Sequence, residues 1–194
     1  MNKFSLTLII IFSCGVFPVL SKVQGQLPEN SSQEKIYIHS IEAFPIVALF
    51  KIYSVQYTYS FSPNYDFIVG FAYVNIVVED KGGNKIGQLF APTVPIGMRR
   101  FFWKNLHIEY QLWPAYNMYY DTKEEKYYNG FDLYNEFRVG YKFDVRFGGL
   151  AFLLNLQYAL GFGLYPGNKP DSFIERSKEI PIFHAPSIAI GLRF

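Results

Sequence analysis

From residue 46 onward, apolar and polar side chains alternate almost one for one, and that two-residue period leaves few folds open to the chain. In 52–61, Tyr53, Val55, Tyr57, Tyr59 and Phe61 fall on one face, and Ile52, Ser54, Gln56, Thr58 and Ser60 on the other. Phe67, Val69, Phe71 and Tyr73 alternate with Ile68, Gly70 and Ala72, and Leu106, Ile108, Tyr110 and Leu112 with His107, Glu109, Gln111 and Trp113. In 131–143, Phe137, Val139, Tyr141 and Phe143 oppose Glu136, Arg138, Gly140 and Lys142, with Asn135 interrupting the apolar row. Phe152 to Phe162 repeats the pattern against Asn155, Gln157, Ala159 and Gly161. Successive side chains of a strand point to opposite faces, so these segments read as two-faced β-strands.

Three more strands are expected with weaker patterns. The stretch 88–100 reads as one strand carrying Pro92 and Pro95, 35–42 as the first, and 186–194 as the last. That makes about eight, an even number that brings first and last strands together antiparallel. No helix and no internal repeat is expected. Short turns at 62–65, 102–105 and 144–149 alternate with longer polar stretches at 79–87, 121–130 and 166–180, which read as loops. Short turns at one end and long loops at the other are the layout of a bacterial membrane barrel. The expected fold class is thus all-β, a transmembrane antiparallel up-and-down β-barrel of about eight strands.

The first residues read as an address. Lys3 precedes an apolar run from Phe4 to Ile11, and Val23-Gln24-Gly25 offers the small residues of a cleavage site. The run is too short to span a bilayer as a helix, which takes about 20 residues. The expected organisation is a signal peptide over 1–25, a short periplasmic segment over 26–34 and a barrel over 35–194. Lipidation at Cys14 is the alternative, disfavoured by Phe12 before it and Val16-Phe17 after it. The chain's one cysteine leaves with the leader, so no disulfide framework is expected. Of 18 basic residues, Lys3 and Lys22 also leave, and the rest balance the 16 acids. A charge near zero gives no reason to expect a nucleic-acid partner.

Period two does not say which face is inside. A soluble, lipocalin-like carrier would turn its aromatics inward and crowd its outer face with Lys and Glu. Here the polar face is largely Ser, Thr, Gln, Asn, Gly and Ala, sizes that suit the interior of an eight-stranded barrel. Half the residues are hydrophobic and 20% aromatic, which suits a lipid-facing surface with interfacial girdles. The expected arrangement therefore puts rings and aliphatics toward lipid.

The ending Ile188-Ala189-Ile190-Gly191-Leu192-Arg193-Phe194 resembles the terminal-strand signal of outer-membrane barrels, with Ile188, Ile190, Leu192 and Phe194 at the alternate positions. Pro186 stands where a further aromatic is usual. Ile36-Tyr37-Ile38 and Ser54-Val55-Gln56-Tyr57 resemble the first hairpin of uncharacterised outer-membrane barrels of Bacteroidota. The resemblance implies residence in a Gram-negative outer membrane among lipid and lipopolysaccharide. It also implies handling by periplasmic chaperones and the barrel-assembly machinery, and a monomeric, porin-like fold.

Candidate chemistry is sparse. Arg99, His107, Glu109, Glu136, Arg138, Lys142, Asp144 and Arg193 all fall on the inward face. An acid/base or ion path through Glu109 with His107, or Glu136 with Arg138, competes with a salt-bridged plug. The plug is preferred, because charges in a narrow barrel must pair and eight strands leave an interior filled by side chains. His184 and Ser187 are the weak catalytic candidates for an alternative, a lipid A deacylase-like enzyme. On an extended strand three residues apart, they point to opposite faces. His39, His107 and His184 share no ligand spacing, and 121–126 lacks the oxygens of a calcium loop, so no metal and no cofactor is expected. The leading expectation is a non-enzymatic protein with a structural, adhesive or small-ligand role in its long loops. Tyr119, Tyr120, Tyr127 and Tyr128 would form an interfacial belt beside one of them.

Overall fold

A computed structural model describes residues 38–147, 150–165, 167–179 and 182–194. The expected leader, Cys14, the segment 26–34 and the start of the first strand at Lys35 lie outside the described residues. The described residues form nine strands and two helices in order: β1 His39–Ala43, α1 Pro45–Ala48, β2 Ile52–Ser62, β3 Tyr65–Glu79, β4 Lys85–Thr93, β5 Ile96–Trp103, β6 Leu106–Asp121, β7 Lys126–Phe147, β8 Leu150–Tyr165, α2 Asp171–Glu179 and β9 Phe183–Arg193. Neither described helix is long and apolar enough to cross a membrane.

All pairings among the described residues are antiparallel, and β9 returns to β1, closing a ring of eight strand positions. The fourth position is shared. The expected single strand over 88–100 is two strands, β4 and β5, which stack end to end between β3 and β6. Pro95 has no N–H to give a ladder. Its carbonyl instead takes the Gly70 N–H at 2.8 Å, while Val94 N–H donates to Pro114 at 3.2 Å. Closure is finished by the last residue: His39 and Phe194 exchange both backbone hydrogen bonds, at 3.0 and 2.9 Å.

The turn end, with residues 63–64 and 104–105 between strands, also holds His39 and Phe194. At the opposite, loop end, strands run much further than the polar sequence suggested. β3 and β4 pair up to Glu79–Lys85, and β6 and β7 up to Asp121–Lys126. The expected loops at 79–87 and 121–130 thus shrink to tight turns, with Glu125 at φ 52° in the second. Ladder hydrogen bonds need only backbone, so polar residues continue a strand once its neighbour is in register. No helix was expected, yet 166–180 contains α2. Its DSFIERSKE has acid in its first turn and base in its last, charges that match the helix dipole.

The two faces separate cleanly. Tyr53, Val55, Tyr57, Phe61, Phe71, Ile96, Met98, Ile108, Phe137, Val139, Phe152, Leu160 and Ile190 are exposed on the outside of the ring. Gln56, Thr58, Asp66, Arg99, His107, Glu109, Gln111, Arg138, Lys142, Asn155 and Gln157 are buried within it. Asn135 interrupts the outer row of β7, in register with Leu112 and Phe162; it is nonetheless buried, and its amide donates to the Phe162 carbonyl at 2.8 Å.

Candidate functional site

The interior has two storeys. The lower, toward the turn end, is charged, and register builds it. Asp66 on β3 lies opposite Arg99 on β5, Arg99 opposite Glu109 on β6, and Glu109 opposite Arg138 on β7. Four neighbouring strands therefore present inward charges of alternating sign. Directly opposed charges of opposite sign stabilise a sheet pair. Here they also face one another across a narrow ring.

Arg99 is the hub. It is fully buried, and its Nη1 and Nη2 donate to the two Glu42 oxygens at 3.0 and 3.1 Å. Its Nε donates to Glu109 at 2.7 Å, and Asp66 lies 3.4 Å from Nη1. Arg138 Nη1 donates to the other Glu109 oxygen at 3.0 Å, and its Nε donates to Glu136. Lys142 reaches Asp66 at 3.4 Å and Glu42 at 3.7 Å. Neutral donors take up remaining acceptor sites. Thr58 reaches Glu42 at 3.2 Å, Ser60 reaches Asp66 at 2.7 Å and Gln111 reaches Glu109 at 2.6 Å. Gln56 and Gln111 exchange amide bonds across the ring at 3.1 and 3.2 Å. Such density is what buried charge demands, because an uncompensated ion in a low-dielectric interior costs several kcal/mol.

Glycines make the room. Gly70 stands opposite Gln56, Gly97 opposite Gln111 and Gly140 opposite His107. A Cβ on Gly140 would come within 2.8 Å of both His107 Nε2 and the Gln157 side chain. The long polar side chains lie across the glycine backbones, which side chains on those strands would forbid.

Six of the eight expected inward charges meet in this cluster: Arg99, His107, Glu109, Glu136, Arg138 and Lys142. Asp144 and Arg193 do not. They pair with each other at 2.8 Å near the turn end, both partly exposed. Sequence reasoning missed Glu42 and Asp66, the carboxylates that balance Arg99 and Lys142. Both sit at strand ends, where alternation is too short to assign a face. His107 lies against Gln157, with Nε2 3.3 Å from its amide nitrogen and Nδ1 3.3 Å from the Asn105 carbonyl, and among the described residues no carboxylate hydrogen-bonds to it to orient it as a base. Among the described residues, no three His, Cys, Asp or Glu gather as a metal site.

The upper storey is apolar, contrary to the expected small and polar interior. Val74, Ile76, Leu89, Ala91, Ala115 and Tyr119 form its inner face, and Phe173 of α2 packs on it, its ring 4.9 Å from that of Tyr119. Tyr119 was expected in an outward belt, but β6 parity turns it inward and buries it; Tyr127 stays outside. Arg138 separates the storeys, its guanidinium 5.0 Å from the Phe44 ring and 5.8 Å from Trp113. Polar latches hold α2. Lys169 reaches both Asp132 oxygens at 2.7 and 2.5 Å, Ser172 donates to Asp121 at 3.1 Å and Arg176 donates to the Glu79 carbonyl at 3.0 Å. Burial pulls the Lys169 ammonium below the ordinary lysine range, against the opposing pull of Asp132. Asp121, expected in a solvated loop, is buried and accepts from the backbone of Lys123 and Glu124 at 2.8 and 3.0 Å.

His184 and Ser187 are not brought together. His184 is outside, its Nδ1 2.7 Å from the Tyr158 hydroxyl, while Ser187 is buried inside. The terminal residues Ile190, Leu192 and Phe194 are exposed on the outer face, and Ile188 is half-buried there.

No known protein family, curated protein or solved structure matches the chain.

Proposed function

We propose that this chain is a monomeric, non-enzymatic outer-membrane β-barrel protein, exported by the leader over 1–25. In this reading it resembles small barrels of Bacteroidota, and its structural, adhesive or small-ligand role is carried by the loop end. One observation carries the reading: the ring exposes its aromatic and aliphatic side chains and buries its charges. In water that arrangement gives up the burial of nearly every large apolar group, at about 25 cal/mol per Å². In hydrocarbon it is the favourable one, and ring closure satisfies the strand edges where the strands complete the ring. The C-terminal Ile188, Ile190, Leu192 and Phe194 would serve the assembly machinery, and lipid and lipopolysaccharide would contact the outer rows.

The ion-paired lower storey argues for a plug over a pore. Guanidinium and carboxylate groups span the ring from Glu42 to Glu109, with Arg99 between them. The lipid-modifying alternative gains nothing from His184 and Ser187, which lie on opposite faces of β9. The soluble carrier would need the faces exchanged.

The test is physical. Purified residues 26–194 should require detergent or lipid to stay dispersed. Unboiled protein should migrate faster on a denaturing gel than boiled protein, because the closed ladder resists the detergent. In a planar bilayer it should show no steady conductance. A monodisperse preparation in plain buffer would overturn the membrane reading, and a stable open channel would overturn the plug.

A further inference from the structure

Among the described residues, the ring is complete only toward the turn end. β1 stops at Ala43, and β2 begins at Ile52, opposite Val74. β3 runs on to Glu79 with β4 as its one strand partner, and β9 meets β1 only over Ile190–Arg193. Phe183 to Ala189 of β9 and Asn75 to Glu79 of β3 thus face each other as strand edges, with no strand between them among the described residues. The wall is low over β1 and β2, between the edge of β9 and the taller β3.

The edges are dressed for this. His39 and Phe194 exchange bonds, so even-numbered residues of β9 turn their backbone polar groups to the β1 side. Pro186 is even-numbered, and its missing N–H falls on the strandless side, where proline is tolerated. On β3 the odd-numbered residues face the gap. Asn75 N–H is taken by the Lys51 carbonyl at 2.9 Å, and the Glu79 carbonyl is taken by Arg176 of α2 at 3.0 Å. Helix α2 therefore hangs on the β3 edge and lays Phe173 on the apolar upper storey behind the gap.

The sill of the gap indicates its surroundings. It is formed by α1 and the residues after it, where Leu49 is 81% and Phe50 64% exposed. Two adjacent large apolar side chains left open beside strand edges fit hydrocarbon and not water. The outer surface of the tall wall continues apolar above this level, through Val77, Tyr116, Met118 and Phe131. The gap therefore opens sideways at a depth where the opposite wall still meets lipid.

We infer that this gap is a lateral portal through which an acyl chain of a surrounding membrane lipid enters and lies on the face now covered by Phe173. Leu89, Ala91, Ala115 and Tyr119 form the bed, and α2 is the door. Asn117 supplies the polar end. It is fully buried on the same inner face of β6, its amide nitrogen donates to the Gly130 carbonyl at 3.0 Å, and its Oδ1 has no hydrogen-bond partner among the described residues. A chain carrying a hydroxyl or amide N–H near its head would donate to that oxygen. The ligand class is accordingly a hydroxy- or amide-bearing acyl lipid, taken from the bilayer and not from solution.

This inference rests on the membrane reading, and the experiment separates the two. A photo-crosslinking benzophenone amino acid is placed at inward Ile76, at inward Leu89 or at outward Val139 of the full mature chain. Each protein is folded into phosphatidylethanolamine–phosphatidylglycerol vesicles that also contain an N-(3-hydroxyacyl) amino-acid lipid, and adducts are weighed by mass spectrometry after irradiation. Val139 reports insertion alone. Lipid adducts at Val139 and at either inward site, with inward yield rising several-fold in Phe173→Ala, are the expected result. Adducts at Val139 with none at Ile76 or Leu89, in folded heat-modifiable protein of either background, would overturn the portal and leave the membrane reading standing. No adduct at Val139 would overturn both.

Discussion

Replacing Arg99 with Met keeps the length of the side chain and removes the charge that three carboxylates share. Glu109 keeps Arg138 at 3.0 Å, but Glu42 and Asp66 are left with Lys142 alone, at 3.7 and 3.4 Å. Breaking a buried ion pair by removing one partner costs about 3–5 kcal/mol, because the stranded charge stays desolvated. Glu42 is fully buried and loses both its short contacts to Arg99, so Arg99→Met should cost at least the lower figure. At 1.4 kcal/mol per decade, that is roughly two to four powers of ten in the folding equilibrium. The assay is urea unfolding in lipid vesicles, followed by tryptophan emission and by loss of the fast-migrating band. A second substitution, Glu42→Gln, should return a substantial part of the loss in Arg99→Met, and the two together give the coupling. A loss below about 1 kcal/mol would refute the reasoning, since exposed or water-solvated pairs are worth that little. The lower storey would then be a wet channel.

Three shorter predictions test other joints. Gly140→Val should destabilise by about 1–3 kcal/mol as overpacking, because its side chain would strike His107 and Gln157; an unfolding midpoint equal to wild type would show that the two can move aside. Phe173→Ala should undock α2 and speed tryptic cleavage after Arg176 or Lys178, while leaving heat-modifiable migration intact; unchanged cleavage would mean the polar latches alone hold the helix. Phe194→Ala should slow insertion in cells by exposing an imperfect terminal strand to the assembly machinery, and normal membrane levels would show that the ending is not read.

Much of the lower ring was legible because strand parity is a local property. Once Tyr53 to Phe61 and Leu106 to Leu112 alternate, each side chain's face follows, and Arg99, Glu109, Arg138 and Lys142 could be assigned inward before any pairing was known. Glu42 and Asp66 escaped for the same reason, each lying within a residue or two of a strand end. The polar runs at 79–87 and 121–130 misled because polarity there marks the surroundings of the strand and not its end. α2 was hidden in a segment whose helical stripe is only Phe173 and its neighbours.

What the sequence determined alone is the period, the count of about eight strand positions and the sorting of groups into two sets, since each depends on residues a few positions apart. Which strands stand beside which, and so that Asp66, Arg99, Glu109 and Arg138 form one alternating row, was decided only by register in the closed ring. The tertiary structure also decided that the wall stops short at β1 and that α2 hangs across the gap. Those facts compare lengths of strands far apart in the chain, and no local pattern carries that comparison.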